Sequence, residues 1–464
     1  MTIKTCAVAG SFYSNESTQL SNQIDQLLEH NPCSGDQPSV LIVPHAAPVY
    51  SGKIAALAYN LIKPYLHHYK RIVILGPAHR VAFNYHAALN ATQWHTPLGA
   101  INIDKAYNDQ LIEQGHMQYF DQAHAQEHSL EVQLPFLQSV GLAEIPIVPI
   151  VIGRAANQQS CALMDALLKD KDNCVIISSD MSHFKNYQQA VDYDRLTIET
   201  INNMQPLSSA EQACGCYPIN ALLNGDMQQS LEAKLLGYCN SGDTGGDKNR
   251  VVGYAAFAFY PKFNAQRKQQ MLALARYEIT KAFNVDDGLL ASQLNTCGDL
   301  QAQYLQQPLA CFVTLNILSA PSDPSNTSCK TLRGCIGNLQ ANGTLVQSIQ
   351  RNATLAAFKD HRFTPLAEHE LADICIEISL LTPAKPMSVN SHDALINQLQ
   401  PHRDGLILKC AHHQATFLPS VWEQLPDPQQ FVKHLKVKAG LAEDFWSDDM
   451  KCYRYQAIKF SERD

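Results

Sequence analysis

Long apolar runs recur along the first half of the chain and predict strands that are buried on both faces. The three most regular runs, 39–45, 71–79 and 173–183, each end in a short polar stretch that contains one histidine. Unbroken apolar runs of this length are typical of strands in a parallel sheet. The run 145–153 is similar, but its two prolines favour a position at the edge of the sheet.

Helix-like segments alternate with these runs. The pattern predicts helices over 51–66 and 129–139, and a strand over 250–260 closes the region. Strands and helices in alternation over residues 1–262 predict an α/β domain, with a central sheet flanked by helices.

The pattern changes near residue 262. Polar residues over 261–268 mark a domain boundary, and 271–283 predicts a new amphipathic helix. Further strands are predicted at 310–318, 374–381, 405–410 and 415–418. Their partial alternation and the short polar connection between the last two indicate hairpins. Residues 268–464 are therefore predicted to form a smaller α+β domain with an antiparallel sheet, and 319–328 a surface loop.

The composition is that of an ordinary globular protein, with 45% hydrophobic and 17% charged residues in 464. A net charge of −8 without a basic run argues against a nucleic-acid or membrane-surface partner. No apolar stretch is long enough to span a membrane and no signal peptide is evident, so we expect a cytoplasmic protein. The 14 cysteines contain no CxxC pair, which is typical of free thiols rather than a zinc ribbon.

Three histidines follow strands that are predicted to be neighbours in the sheet. His45, His79 and His183 each leave a strand at its carboxyl end, where parallel sheets bind their ligands. Converging imidazoles are a common way to hold a first-row transition metal. Each histidine taken singly also fits a structural hydrogen-bonding role. Their repetition makes a metal site the leading hypothesis.

A set of motifs in the first half carries a family resemblance. The motifs are 7–13 (AVAGSFY), 44–52, 75–79 (LGPAH), 127–136, 178–183 (SSDMSH), 214–219 and 240–254. In this order, over residues 1–260, they resemble the Memo family. Memo proteins are similar in fold to the class III extradiol dioxygenases and have a non-haem metal pocket at the corresponding place.

The Memo resemblance implies a ligand set and a cofactor. It implies His45 and His79 as metal ligands, with His183 as a third ligand or as an acid/base. In the dioxygenases, two histidines and a carboxylate leave positions open for substrate and O2. The implied cofactor is a non-haem transition metal ion, with Fe(II) favoured and copper or zinc as alternatives.

This sequence departs from the family pattern at the third metal ligand, the position expected to be a carboxylate. Thr244 stands where some Memo proteins carry a cysteine, and threonine is a poor ligand for iron. Asp243 is the natural substitute, with Thr244 and Asp247 as alternatives. A second departure is Ala47-Pro48, where the family usually has Gly-Tyr.

Other polar residues of these motifs are candidates for the pocket. Asp180 is expected to orient an imidazole, although Ser-Ser-Asp also suits a turn or a helix cap. Glu127 and His128 are expected either in the pocket or at the start of a helix. With His183, these three residues form the predicted catalytic set.

The second half resembles the AMMECR1 domain from about residue 268 to 460. The motifs are 332–337 (LRGCIG), 360–366 (DHRFTPL), 377–383, 415–422 and 438–441. Arg333 and Cys335 could present a nucleophilic thiol at a loop, with His361 as its base. Alternatively the glycines permit a tight turn, Arg333 pairs with a buried carboxylate and Cys335 packs. We favour this structural or binding interpretation, because no complete triad is visible.

The two resemblances together predict a fusion of two components of an AmmeMemoRadiSam-type system. They imply a radical SAM protein as partner and an unknown small molecule as substrate. The expected function is that of a metal-dependent enzyme resembling a non-haem iron dioxygenase. The alternative is a non-catalytic metal- or peptide-binding adaptor or scaffold.

Overall fold

The computed structural model describes residues 2–142, 145–155, 157–284, 302, 304–319 and 329–463. The chain divides into two compact units, Met1–Lys262 and Phe263–Asp464. Residues 320–328 of the predicted surface loop lie outside the described residues. Among the helices of the described ranges, none combines the length and apolar character needed to cross a membrane.

The first unit is built on a nine-stranded mixed sheet. Together with those of a smaller sheet, the strands of this unit within the described residues are β1 (Ile3–Lys4), β2 (Val40–Val43), β3 (Arg71–Pro77), β4 (His86–Ala88), β5 (Gln93–Thr96), β6 (Gly99–Asn102), β7 (Gln118–Tyr119), β8 (Ile147–Ile152), β9 (Asn173–Ser178), β10 (His183–Lys185), β11 (Leu231–Asn240) and β12 (Val251–Pro261). The main order is β10-β12-β2-β9-β3-β8-β4-β7, with β11 on β12, and β1, β5 and β6 form a separate sheet. The central strands β2, β9, β3 and β8 are parallel.

Helices cover both faces of this sheet. They are α1 (Ser17–His30), α2 (Pro48–Ile62), α3 (Lys105–Glu113), α4 (Asp121–Ala125), α5 (Gln133–Ser139), α6 (Asn157–Lys169), α7 (Tyr187–Asn202) and α8 (Cys216–Asn224). Successive side chains of β2 belong to different hydrophobic clusters, Leu41 and Val43 to one, Val40 and Ile42 to the other. Burial on both faces explains why the β2 sequence is apolar throughout, and it confirms the predicted α/β sandwich.

The predicted edge position of the run 145–153 is wrong. Strand β8 lies inside the sheet, between β3 and β4. The sheet tolerates Pro149 because the short β4 pairs with Ile150–Ile152 alone, beyond the residue that lacks an N–H.

The second unit is a seven-stranded antiparallel sheet with helices, as predicted. Its strands are β13 (Ala310–Ser319), β14 (Cys329–Gly337), β15 (Ile374–Leu381), β16 (Lys385–Pro386), β17 (Asp404–Cys410), β18 (His413–Phe417) and β19 (Lys451–Ser461). Its helices within the described ranges are α9 (Ala265–Thr280), α10 (Leu345–Phe358), α11 (His392–Gln398) and α12 (Pro428–Lys438). The order is β14-β13-β15-β19-β17-β18, with β16 paired to β19.

Candidate metal centre

The carboxyl ends of three parallel neighbours, β2, β9 and β3, form the floor of a polar site. Val43, the last residue of β2, pairs with Ser178, the last residue of β9. His45 follows β2 and His79 follows β3, on the two sides of β9. The topology therefore brings together two histidines that are far apart in sequence, as expected for a ligand site in such a sheet.

A third histidine enters from the turn that precedes α5. Residues 129–132 form this turn, and the helix predicted from 129 begins at Gln133. The turn lies close to β3 because Gly76 has no side chain. A Cβ on Gly76 would lie 2.5 Å from Ser129 Oγ and 2.7 Å from Leu130 Cδ2. This close approach carries His128 to the end of β3.

His45, His79 and His128 form one compact group. Each offers one nitrogen, and these atoms all lie within 4.8 Å of one another. The ring centroid of His45 lies 5.2 Å from that of His79 and 5.2 Å from that of His128. The centroids of His79 and His128 are 4.7 Å apart. His45 is 1% exposed, whereas the side chain of His79 is 28% exposed. The group is thus closed beneath His45 and accessible from the side of His79.

A buried hydrogen-bond network fixes the tautomer of His45. Ser178 Oγ donates its single proton to Ser129 O at 2.5 Å and accepts from Gln133 Nε2 at 2.8 Å. Ser178 Oγ therefore accepts from His45 Nδ1, at 2.9 Å. Because Nδ1 carries the proton, Nε2 of His45 presents a lone pair, as a metal ligand must.

Glu127 orients His79 from beneath. Its Oε1 lies 2.9 Å from His79 Nδ1, and its Oε2 accepts from the backbone N–H of His79 at 2.6 Å. Burial raises the pKa of Glu127, but the hydrogen bond and charge of His79, with the Ser129 N–H, lower it to about 2. An ionised carboxylate bound to Nδ1 leaves Nε2 of His79 to face the group, the usual arrangement behind a metal-bound histidine.

His128 packs against two other aromatic rings. Its ring lies 4.7 Å from that of Phe12 and 4.7 Å from that of His79. Its Nδ1 is buried and, among the described residues, has no hydrogen-bond partner, although Glu127 Oε1 is 3.3 Å away. A buried ring nitrogen without a partner is unusual in a folded protein.

The electrostatics of the group suit a metal ion. Burial, together with the other imidazoles, lowers the pKa of His45 well below its usual value. Burial also lowers the pKa of His128. Lowered pKa values at His45 and His128 favour the neutral imidazole that metal ligation requires, so these residues fit a transition metal such as iron, copper, zinc or nickel.

Asp180 and His183 lie beside the group without belonging to it. Asp180 Oδ1 accepts from the backbone N–H groups of His45 at 2.8 Å and Ala46 at 3.3 Å, and its Oδ2 is 4.0 Å from His45 Nε2. Burial raises the pKa of Asp180. His183 begins β10, where it pairs with Val252, and is half-buried. Asp180 thus positions the backbone of His45 rather than an imidazole ring.

The structure does not bring the predicted carboxylate ligand into the group. Asp243 caps its own 3-10 turn, accepting from Asn240 N at 2.9 Å and from Tyr187 Oη at 2.7 Å. Thr244 Oγ1 donates to a backbone carbonyl, and Asp247 accepts from the backbone and side chain of Asn249. His128, predicted as a pocket or cap residue, occupies the third position instead.

In the second unit, Arg333 has a structural environment. Its Nε and Nη2 bind the two carboxylate oxygens of Glu370 at 2.7 and 2.8 Å, and Nη1 donates to Thr364 O. The Cys335 thiol accepts from Thr314 Oγ1 at 3.3 Å, and its backbone N–H donates to Asp360. These contacts agree with the pairing and packing interpretation.

The glycines of the LRGCIG motif lie on a strand, not in the loop or turn that was predicted. Strand β14 includes both Gly334 and Gly337. A Cβ at Gly334 would collide with Ala356 O of α10, and one at Gly337 with the Phe312 ring of β13. Glycine is therefore required because a helix and a strand approach this backbone closely.

Comparison with known proteins agrees with this architecture. A family model described as "Memo-like protein" matches residues 4–258, and the AMMECR1 model matches residues 272–460. The first match covers more than half of the chain. The chain belongs to the Memo family, and it is a fusion of a Memo domain with an AMMECR1 domain.

Relatives of the Memo domain occur in archaea and bacteria. A MEMO1 family protein of Methanobrevibacter smithii is 36% identical over 279 residues, which are 54% of this chain and 98% of that protein. One from Aquifex aeolicus is 32% identical over 271 residues, 56% of this chain and 100% of that protein. A crystal structure of an uncharacterized protein from Pyrococcus horikoshii matches at a TM-score of 0.33 and 27% identity, covering 41% of this chain and 89% of that chain.

Proposed function

We propose that the Memo domain is a metal-dependent enzyme whose ion is held by His45, His79 and His128. The observation that carries this proposal is the convergence of three ligand nitrogens within 4.8 Å at the carboxyl ends of parallel strands. Such an ion would act as a Lewis acid on a chelating substrate and, if it is Fe(II), would support chemistry with O2.

The substrate would approach from the side of His79. The exposure of that side chain, 28%, contrasts with the buried His45 and makes this the accessible side of the group. Glu127 and Ser178 hold the rings of His79 and His45 rigidly, so the ligands need little rearrangement. The resemblance to extradiol dioxygenases supports a chelating, catechol-like substrate and Fe(II).

His183 and Asp180 are the residues that would move a proton. His183 is half-buried, and the positive charge of a protonated His183 would lower the pKa of Asp180 against the effect of burial. A histidine in this position can take a proton from a bound hydroxyl group. The carboxylate of Asp180 would offset the positive charge that His183 gains.

Oxygen uptake tests this proposal. Anaerobically Fe(II)-loaded protein would be offered O2 with a panel of catechols and other small chelators. We expect substrate-dependent uptake by the wild type, none by His128→Ala because it loses the ion, and none by His183→Ala although it keeps the ion. Equal uptake by all three proteins would overturn the assignment.

We propose further that the fusion acts with a radical SAM protein. The union of a Memo and an AMMECR1 domain in one chain supports this, because linked modules share a high local concentration. Co-elution of the purified chain with a purified radical SAM candidate at micromolar concentration tests the proposal. Separate elution would contradict it.

One observation favours the second candidate function, that of a partner-binding adaptor. Phe184 is 61% exposed and has φ 62°, a left-handed conformation that bulky residues rarely adopt. The Arg250 guanidinium lies 4.3 Å from its ring centroid. A strained, exposed aromatic residue beside His183 is typical of a recognition surface. Loss of co-elution with the radical SAM candidate in Phe184→Ala, with metal content unchanged, would support the adaptor function.

A further inference from the structure

The segment 127–131 contributes two buried carboxylates, and they have different partners. Glu127 binds His79, as described above. Glu131 is 0% exposed, and its carboxylate accepts from the backbone N–H groups of Ala7 at 2.7 Å and Val8 at 2.9 Å, and from Tyr13 Oη at 2.8 Å. Each of these donors belongs to residues 7–13, which we call the N-terminal turn. Glu131 is thus the internal anchor of the N-terminal turn.

The N-terminal turn is compact and presents one aromatic side chain to the site. Its backbone is closed by hydrogen bonds from Phe12 N to Val8 O, 2.9 Å, and from Gly10 N to Tyr13 O, 2.7 Å. The ring of Phe12 packs on His128, with the centroids 4.7 Å apart. Anchoring the two ends of the turn therefore fixes where Phe12 lies.

His128 depends on this contact more than the other two histidines depend on theirs. His45 has Ser178 on Nδ1, and His79 has Glu127 on Nδ1. Among the described residues, Nδ1 of His128 has no hydrogen-bond partner. Glu127 Oε1 lies 3.3 Å from that nitrogen without forming a hydrogen bond, so packing against Phe12 and His79 has a large part in the orientation of the ring.

We propose that Glu131 is a positioning residue for the third metal ligand. By anchoring the N-terminal turn it seats Phe12 against His128, and Phe12 in turn holds the imidazole toward His45 and His79. This inference rests on the proposed metal site. Within the described part of the chain, Glu131 makes no hydrogen bond to a histidine of the group. It would affect metal binding only through the position of the Phe12 ring.

Titration with Co(II) alone tests the inference, because its visible spectrum reports both affinity and ligand geometry. Glu131→Gln and Phe12→Ala should each weaken Co(II) binding about 10- to 100-fold, the usual effect of losing a group that orients a ligand. Phe12→Tyr keeps the ring and should bind as the wild type does. The double variant should bind no more weakly than the weaker single variant, since both changes act through one contact.

Asp165→Asn is the matched control. Asp165 also accepts from two backbone N–H groups, those of Asp226 at 3.0 Å and Met227 at 2.9 Å, and so also anchors a loop of this unit. It should lower the melting temperature and leave Co(II) affinity and spectrum unchanged. If the wild type binds Co(II) and both Glu131→Gln and Phe12→Ala bind it equally tightly, the positioning role of Glu131 is overturned but the metal site is not. Failure of the wild type to bind would overturn the metal site as well.

Discussion

Cys214 Sγ lies 3.3 Å from Nε2 of His45. Burial raises the pKa of this thiol, with the Asp180 charge acting in the same direction, so the thiol stays protonated at neutral pH. Because Ser178 fixes the proton of His45 on Nδ1, Nε2 can accept from the thiol. The thiol and a metal ion therefore compete for the same lone pair.

Replacing Cys214 should tighten metal binding. Cys214→Ala removes a hydrogen bond that the ion must break, a net effect of about 1 kcal/mol, or roughly five-fold in affinity. Calorimetric titration with Zn(II) measures the difference. Cys216→Ala is the control, since its thiol contacts Asn220. Weaker binding by Cys214→Ala would instead identify the thiol as a ligand.

The third ligand can be identified by a pair of substitutions. His128→Ala should abolish stoichiometric metal binding, because two imidazoles remain. Asp243→Asn should retain it, because both Asp243 oxygens bind Asn240 and Tyr187. Metal content after dialysis is the measurement. Metal loss in Asp243→Asn, with retention in His128→Ala, would restore the carboxylate predicted from the family resemblance.

Glu127→Gln should weaken metal binding about 10- to 100-fold, the range found for groups that orient metal-bound histidines. The amide cannot act as a charged acceptor for His79 Nδ1 while its other atom accepts from His79 N. Competition with a chromogenic chelator measures the affinity. An unchanged dissociation constant would show that Glu127 is dispensable for orienting His79.

In the AMMECR1 domain, Glu370→Gln should destabilise the fold by about 1.5–3 kcal/mol, the range for hydrogen bonds to charged groups. It breaks the two-point pairing with Arg333, which joins β14 to the 364–370 segment. Cys335→Ser should change stability less, because Ser can still accept from Thr314. Urea denaturation checks both variants, and equal midpoints for them would contradict this account.

Much of the fold was predictable because burial on both faces leaves a plain signal in the strands. Strand β2 is apolar at every position, and β3 and β9 are apolar between Arg71 and Asn173 at their starts and the polar or turn residues at their ends, so their place in a parallel sheet follows directly. Pro149 was misleading, because the sequence gives no sign that β4 is too short to need its N–H. The role of Gly334 in β14 was hidden for a similar reason, since it depends on Ala356 of α10.

In the candidate site, the strand-end argument places His45 and His79 correctly, whereas His183 begins β10 and lies outside the group. His45 and His79 stand at strand ends, and topology alone brings them together. His128 stands in a turn whose approach to β3 depends on Gly76, a tertiary contact that local sequence does not express. The sequence neighbourhood of Asp243 favours it as a ligand, but one of its oxygens accepts from Asn240 N in a local cap and the other accepts from Tyr187 Oη.

The metal content of anaerobically purified protein decides whether the three histidines form a metal centre, with the wild type measured beside His45→Ala and His79→Ala. We expect about one equivalent of a first-row transition metal in the wild type and its loss in both variants, since three imidazoles form one site. A wild type that holds no metal, even after anaerobic loading with Fe(II), would rule out the metal centre and leave a binding or scaffold protein.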